Sequence, residues 1–300
     1  MVVIERKNTL RNLSVSDAMR RQVVQLEQTV SLDHGINILI KYKVNALLTI
    51  DAERKPIGVV SKTDIMGAYY AGLPIESPLE YIMVSPPLFC HSEDSLEAAL
   101  ELMRSHGVYR LYVLDSESDK LVGALAYPDI VGLLYQYCRQ CEFNHLNILK
   151  HHEENDSMRR FSVREVMTSQ VKSVGRNETL SSVMEELSAH RFGAILVADD
   201  DGAPCGVISK TDLALTFKHG VDPQAPAHTV MSSPVHTCDV ELLLEEAIRK
   251  MILTDTHRLF VHEGDRGNIV GVLSLSDAAR VRSGSCHGCV SSRIKVEDHD

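Results

Sequence analysis

The chain has 300 residues, 44% hydrophobic and 24% charged, a globular composition that excludes a disordered polymer and leaves room for two domains of about 150 residues. With 41 acidic against 31 basic residues the net charge is −10, which repels a phosphate backbone and argues against nucleic-acid binding. No apolar run approaches the roughly 18 residues of a membrane span, the opening MVVIERKNTLRNLSV has no secretory apolar core, and an odd count of 7 cysteines speaks against a disulfide framework, so the expectation is a cytoplasmic protein.

After an N-terminal segment over 1–13, a short stretch ends at Met19. A helix is predicted from Leu32 to Tyr42, where Ile36, Leu39 and Ile40 recur at helical spacing. Strands follow at 46–50 and 57–60 around a polar turn, and Ser61-Lys62-Thr63-Asp64 opens another helix. The pattern repeats with a stretch ending at Met83, a helix over 96–105, strands at 111–114 and 121–124, and Ala126-Tyr127-Pro128-Asp129 before the next helix. A polar linker over 142–161 leads to strands at 194–197 and 206–208, with Ser209-Lys210-Thr211-Asp212 after them. The last strands are expected at 259–261 and 269–273, followed by Ser274-Leu275-Ser276-Asp277 and a tail over 282–300.

These elements form a repeat. Ser209-Lys210-Thr211-Asp212 follows Ser61-Lys62-Thr63-Asp64 by 148 positions, and the same offset carries Met19 onto Met167, Met83 onto Met231, Arg110 onto Arg258 and Gly123 onto Gly271. Each half is itself double. A β-α-β-β-α unit of about 60 residues can hardly bury both faces of a three-stranded sheet alone, so such units should pair.

Gly58-Val59-Val60-Ser61-Lys62-Thr63-Asp64-Ile65 and its counterparts at 206–213 and 271–277 resemble the end of a CBS (cystathionine β-synthase) motif, as do the Val/Ala-Met segments at 18–19, 166–167 and 230–231. The Arg-Leu-aromatic-Val strands at 110–113 and 258–261 complete the likeness. The resemblance implies an α/β (α+β) fold of four CBS units over 14–72, 76–137, 162–220 and 226–281. It further implies that they pair as two Bateman modules, 14–141 and 162–289, stacked into a flat disc.

The first site candidate is the Ser/Thr-x-x-Asp turn. An aspartate at a helix start can accept two hydroxyl hydrogen bonds, as a ribose diol offers, beside backbone N–H groups that suit phosphate oxygens. Plain helix capping is the competing account, since Ser, Thr and Asp are favoured caps. In CBS proteins this aspartate contacts the ribose of adenosine nucleotides. The resemblance therefore points to Asp64, Asp129, Asp212 and Asp277, with Ser61, Thr63, Ser209, Thr211, Ser274 and Ser276 as hydroxyl partners. Quarter two departs from the pattern, because Ala126 lacks the hydroxyl and Pro128 lacks a backbone N–H. Quarter four is the most complete: His257-Arg258 resembles the phosphate-reading pair of AMP-sensing CBS proteins, and Arg110 takes the same place in quarter two behind Tyr109.

The second candidate lies outside the CBS signature. Cys138-Arg139-Gln140-Cys141 and Cys286-His287-Gly288-Cys289 are both CxxC and fall at the 148-residue offset. Four thiolates suit tetrahedral zinc or an iron–sulfur cluster, and each pair alone suits a redox dithiol. Cys90, Cys205 and Cys238 are expected in the core.

No Walker loop, GxGxxG, GxSxG or HExxH occurs, so no enzymatic constellation is expected. The expected function is a stand-alone regulatory protein that binds AMP, ADP, ATP or S-adenosylmethionine and signals to a target protein, with a homodimer as the expected assembly. The alternative is a metal or redox sensor in which Cys138, Cys141, Cys286 and Cys289 carry the signal on a CBS scaffold.

Overall fold

A computed structural model describes residues 13–140 and 161–280, with side chains over 13–133 and 161–279. The chain forms the expected β-α-β-β-α unit four times. In quarter one, β1 (Gln25–Glu27), α2 (Leu32–Lys41), β2 (Ala46–Ile50), β3 (Pro56–Ser61) and α3 (Lys62–Tyr70) follow the short helix α1 (Val15–Ala18). Quarter two runs β4 (Phe89–His91), α4 (Leu96–Ser105), β5 (Arg110–Leu114), β6 (Leu121–Ala126) and α5 (Tyr127–Gln140). Quarter three runs β7 (Ser173–Gly175), α6 (Leu180–Ala189), β8 (Ala194–Ala198), β9 (Pro204–Ser209) and α7 (Lys210–Lys218). Quarter four closes with β10 (Thr237–Asp239), α8 (Leu244–Leu253), β11 (Arg258–His262), β12 (Ile269–Ser274) and α9 (Leu275–Arg280).

Each quarter folds into a three-stranded sheet whose first strand runs parallel to the second, while the third returns antiparallel. The helix between the first two strands is the crossover that a parallel pair requires. Ser31, Ser95 and Thr179 cap α2, α4 and α6 by accepting from the backbone three residues on. Leu243 holds the equivalent place before α8 and offers no side-chain cap. The predicted helix 32–42 ends one residue early, where Tyr42 is the C-cap. Strands extend past the predicted ends because ladder hydrogen bonds continue to the capping residue: Ala46 lies opposite Ser61, and Arg258 opposite Ser274.

The opening segment of each half packs away from the strands that follow it. Arg20 exchanges two 2.9 Å backbone hydrogen bonds with Ala124 of β6, and Thr168 does the same with Val272 of β12. Val84 pairs in the same way with Val59 of β3. These seats rest on glycine. A Cβ on Gly123 would lie 2.8 Å from the Met19 sulfur and 2.8 Å from the Arg20 carbonyl, and one on Gly271 would lie 2.4 Å from the Met167 sulfur. Only a residue without a side chain admits the thioether there.

The described chain divides into two compact units. One holds quarters one and three (23–88 and 171–235); the other holds the opening segment with quarters two and four (13–22, 89–140, 161–170 and 236–280). In the first unit α3 packs on α7, and one apolar core draws Leu32, Ile36, Ile65 and Tyr69 together with Leu180, Val183, Leu213 and Phe217. In the second, α5 packs against α9 and α8. Among the described residues no helix is long and apolar enough to cross a membrane.

Candidate functional site

All four predicted aspartates stand in the first turn of a helix that begins where the third strand of its sheet ends. One carboxylate oxygen is committed to the backbone. Asp64 Oδ2 accepts the Ser61 N–H and the Ser61 hydroxyl, both at 2.7 Å. Asp212 Oδ2 accepts the Ser209 N–H at 2.7 Å and its hydroxyl at 2.6 Å. Asp277 Oδ2 accepts the Ser274 N–H at 2.9 Å and its hydroxyl at 2.5 Å, and the Ser276 hydroxyl is 2.6 Å from that of Ser274. In return the three serine oxygens accept the aspartate N–H groups at 3.3–3.4 Å, which closes the capping box. Asp129 keeps only the backbone half, accepting the Ala126 N–H at 2.9 Å. Capping is therefore real at every turn.

The second oxygen separates the quarters. In quarter two Arg20 Nε donates to Asp129 Oδ1, and the carboxylate is 6% exposed against 60% for the arginine. In quarter three the Ser232 hydroxyl donates to Asp212 Oδ1 at 3.0 Å. In quarters one and four, Oδ1 of Asp64 and of Asp277 accepts no hydrogen bond from the described residues. Each is a half-buried carboxylate with one oxygen fixed by the cap and the other presented at the strand-to-helix turn.

Sheet register brings the remaining quarter-four residues to the same place. Arg258 opens β11 directly opposite Ser274, and the Leu275 N–H donates to the His257 carbonyl at 3.0 Å. Arg258 is half-buried, and desolvation lowers its pKa, while Tyr109 and Asp277 oppose that effect. Arginine's intrinsic pKa lies so far above neutrality that the side chain is a cation at neutral pH. Arg110 opens β5 opposite Ala126, so the equivalent turn of quarter two has the arginine without the serine. Tyr109, also half-buried, sits edge-on to Tyr127 with centroids 5.2 Å apart. Burial pushes its phenol up to about 12, with Asp129 adding to the rise and Arg258 and Arg110 opposing it.

The first unit carries a feature that motif reading passes over. Lys62 Nζ donates to Thr211 Oγ1 at 2.9 Å, and Lys210 Nζ donates to Thr63 Oγ1 at 2.9 Å. Both predicted hydroxyl residues, Thr63 and Thr211, are thus engaged by a lysine of the other repeat. The identical SKTD strings are the only sequence signal of this, and they do not say which lysine meets which threonine.

The cysteines divide. Cys90 and Cys238 are buried in β4 and β10, and burial pushes their thiols up to about 12 and about 11. Cys205 is half-buried against the core of its unit. Cys141, Cys286 and Cys289 lie outside the described residues, as does the side chain of Cys138. Among the described residues no group of three or more His, Cys, Asp or Glu is placed to hold a metal ion.

The CBS domain model matches the chain four times, over residues 15–71, 79–135, 163–218 and 227–284. The CBS domain-containing protein YhcV of Bacillus subtilis is 34% identical over 39% of this chain and 83% of its own length. The crystal structure of protein MJ1225 from Methanocaldococcus jannaschii superposes with a TM-score of 0.72 at 17% identity, covering 89% of this chain and 99% of that one. The CBS domain protein PAE2072 from Pyrobaculum aerophilum, solved complexed with AMP, is 25% identical and covers 46% of this chain and 97% of its own, with a TM-score of 0.37.

Proposed function

Because the chain belongs to the CBS domain family, with four copies over most of its length, we propose that it is a regulatory protein whose Ser-x-x-Asp turns bind adenine nucleotides. One observation carries this reading: Asp64 and Asp277 each have one oxygen locked by the helix cap and a second, oriented oxygen at the turn. A carboxylate held that way is ready to accept the two hydroxyls of a ribose without rearrangement. In quarter four, Ser274, Ser276, His257 and Arg258 surround the same turn, and Arg258 supplies a bidentate cation for phosphate. Asp212 serves once Ser232 yields its place. Asp129, held by Arg20 beside Pro128 and Arg110, is a structural turn.

The ligand acts by its differential affinity for two arrangements of the protein, and a target protein reads the shift. The protein works in the cytoplasm, as a homodimer and without catalysis of its own. The metal- or redox-sensing alternative rests on the repeat spacing of Cys138, Cys141, Cys286 and Cys289, and zinc or iron in anaerobically purified protein is the result that favours it.

Calorimetric titration with AMP and ATP tests the nucleotide reading. Saturable micromolar binding that is lost at one site in Asp277→Ala and in Arg258→Ala supports it. No heat with any adenine nucleotide refutes it.

A further inference from the structure

We propose that Lys62 and Lys210 are specificity residues that act in trans, each supplying the cation for the Ser-Lys-Thr-Asp turn of the other repeat, so that these turns select a phosphorylated nucleoside. The inference deepens the nucleotide reading and rests on it.

The geometry is reciprocal. Lys62 opens α3 and reaches Thr211 on the turn of α7; Lys210 opens α7 and reaches Thr63 on the turn of α3, both at 2.9 Å. Both turns belong to one compact unit, and the helices that they open pack on each other. In quarter four the cation proposed for phosphate, Arg258, comes from β11, where it faces Ser274. The positions equivalent to Arg258 in quarters one and three are Ala46 and Ala194, which face Ser61 and Ser209 and carry no charge. The trans lysine supplies what the strand lacks.

The chemistry follows from the threonine. Its hydroxyl accepts from the ammonium and keeps its own proton to donate, so an anionic oxygen at the turn receives a hydroxyl polarised by a cation. A phosphate gains from that arrangement. A neutral nucleoside gains little, and a cationic sulfonium ligand such as S-adenosylmethionine is repelled. Each turn also depends on the other repeat for its charge, so a substitution in quarter one should be felt by a ligand in quarter three.

The test is calorimetry of the full chain with AMP and with adenosine, for wild type, Lys62→Gln, Lys62→Arg and Lys210→Gln, with thermal melts to establish folding. The expected result is an AMP affinity about tenfold weaker at one site in each Gln variant, adenosine affinity within twofold of wild type, and substantial recovery in Lys62→Arg. If AMP and adenosine weaken by the same factor, or neither changes, the lysines do not read phosphate and the proposal fails while the nucleotide site stands. If wild type binds neither compound, the nucleotide reading fails and takes this inference with it.

Discussion

Tyr69 and Phe217, 148 positions apart in the chain, stack with ring centroids 5.2 Å apart and planes 21° from parallel. They are the same residue of the repeat, brought face to face where α3 packs on α7. The Tyr69 hydroxyl donates to the Val221 carbonyl at 2.7 Å, a bond that Phe217 cannot mirror. The rings therefore weld quarter one to quarter three. At the other end of the same helices stand the reciprocal Lys–Thr pairs.

Removing either ring should loosen this unit. Tyr69→Ala and Phe217→Ala should each cost about 3–5 kcal/mol, the usual loss for a buried aromatic truncated to alanine. Tyr69→Phe keeps the stack, loses the hydrogen bond and should cost about 1 kcal/mol. Urea unfolding measures all three, and equal losses for Tyr69→Phe and Tyr69→Ala would show that the stack contributes nothing.

The glycine seats predict an unequal rescue. Gly271→Ala and Gly123→Ala should each destabilise by about 1–3 kcal/mol through overpacking. At Gly271 the worst clash is with the Met167 sulfur at 2.4 Å, and the nearest backbone atom is the Thr168 carbonyl at 3.1 Å. Trimming the side chain with Met167→Ala should therefore restore part of the Gly271→Ala loss. At Gly123 the Arg20 carbonyl itself stands at 2.8 Å, so Met19→Ala should restore little. Melting temperatures of the single and double variants decide.

Stability should fall at alkaline pH. Burial holds the Tyr69 and Tyr109 phenols up to about 12, against an ordinary 10.0, and the Cys90 and Cys238 thiols up to about 12 and about 11, against 9.0. The folded chain thus keeps protons that the unfolded chain releases, so unfolding becomes more favourable as pH rises. These groups leave stability unchanged below about pH 9 and lower it between about 9 and 12. Denaturant midpoints taken from pH 8 to 11 should decline, and a flat profile would contradict this. Native Cys90 and Cys238 should also resist alkylation at neutral pH and react on unfolding.

Arg20→Ala should leave the buried Asp129 oxygen without its donor and destabilise the protein by about 1–3 kcal/mol. AMP affinity at the other turns should not change, because the proposed nucleotide sites are the turns of Asp64, Asp212 and Asp277 and Arg20 bonds to none of these carboxylates. A loss of AMP binding in this variant, measured by calorimetry, would show that quarter two takes part after all.

The strand and helix skeleton is legible in the sequence because each element carries its own signal. Leu96–Ser105 matches its predicted span, as does Ala46–Ile50, and the Ser-x-x-Asp strings sit at the helix starts where caps belong. Packing partners are another matter. The 148-residue offset says that Tyr69 corresponds to Phe217 and Lys62 to Lys210, but correspondence is not contact. Lys62–Thr211, Arg20–Asp129 and Ser232–Asp212 join residues with no local spacing relation, so only the folded chain reveals that Thr63, Thr211, Asp129 and Asp212 already have protein partners.

The most direct test of the nucleotide proposal is native mass spectrometry of the full chain with saturating AMP, comparing wild type, Asp129→Ala and Asp64→Ala/Asp277→Ala. Asp129→Ala should carry as many AMP molecules as wild type, while the double variant should carry two fewer. An unchanged count in the double variant, or no bound AMP in wild type, would contradict it.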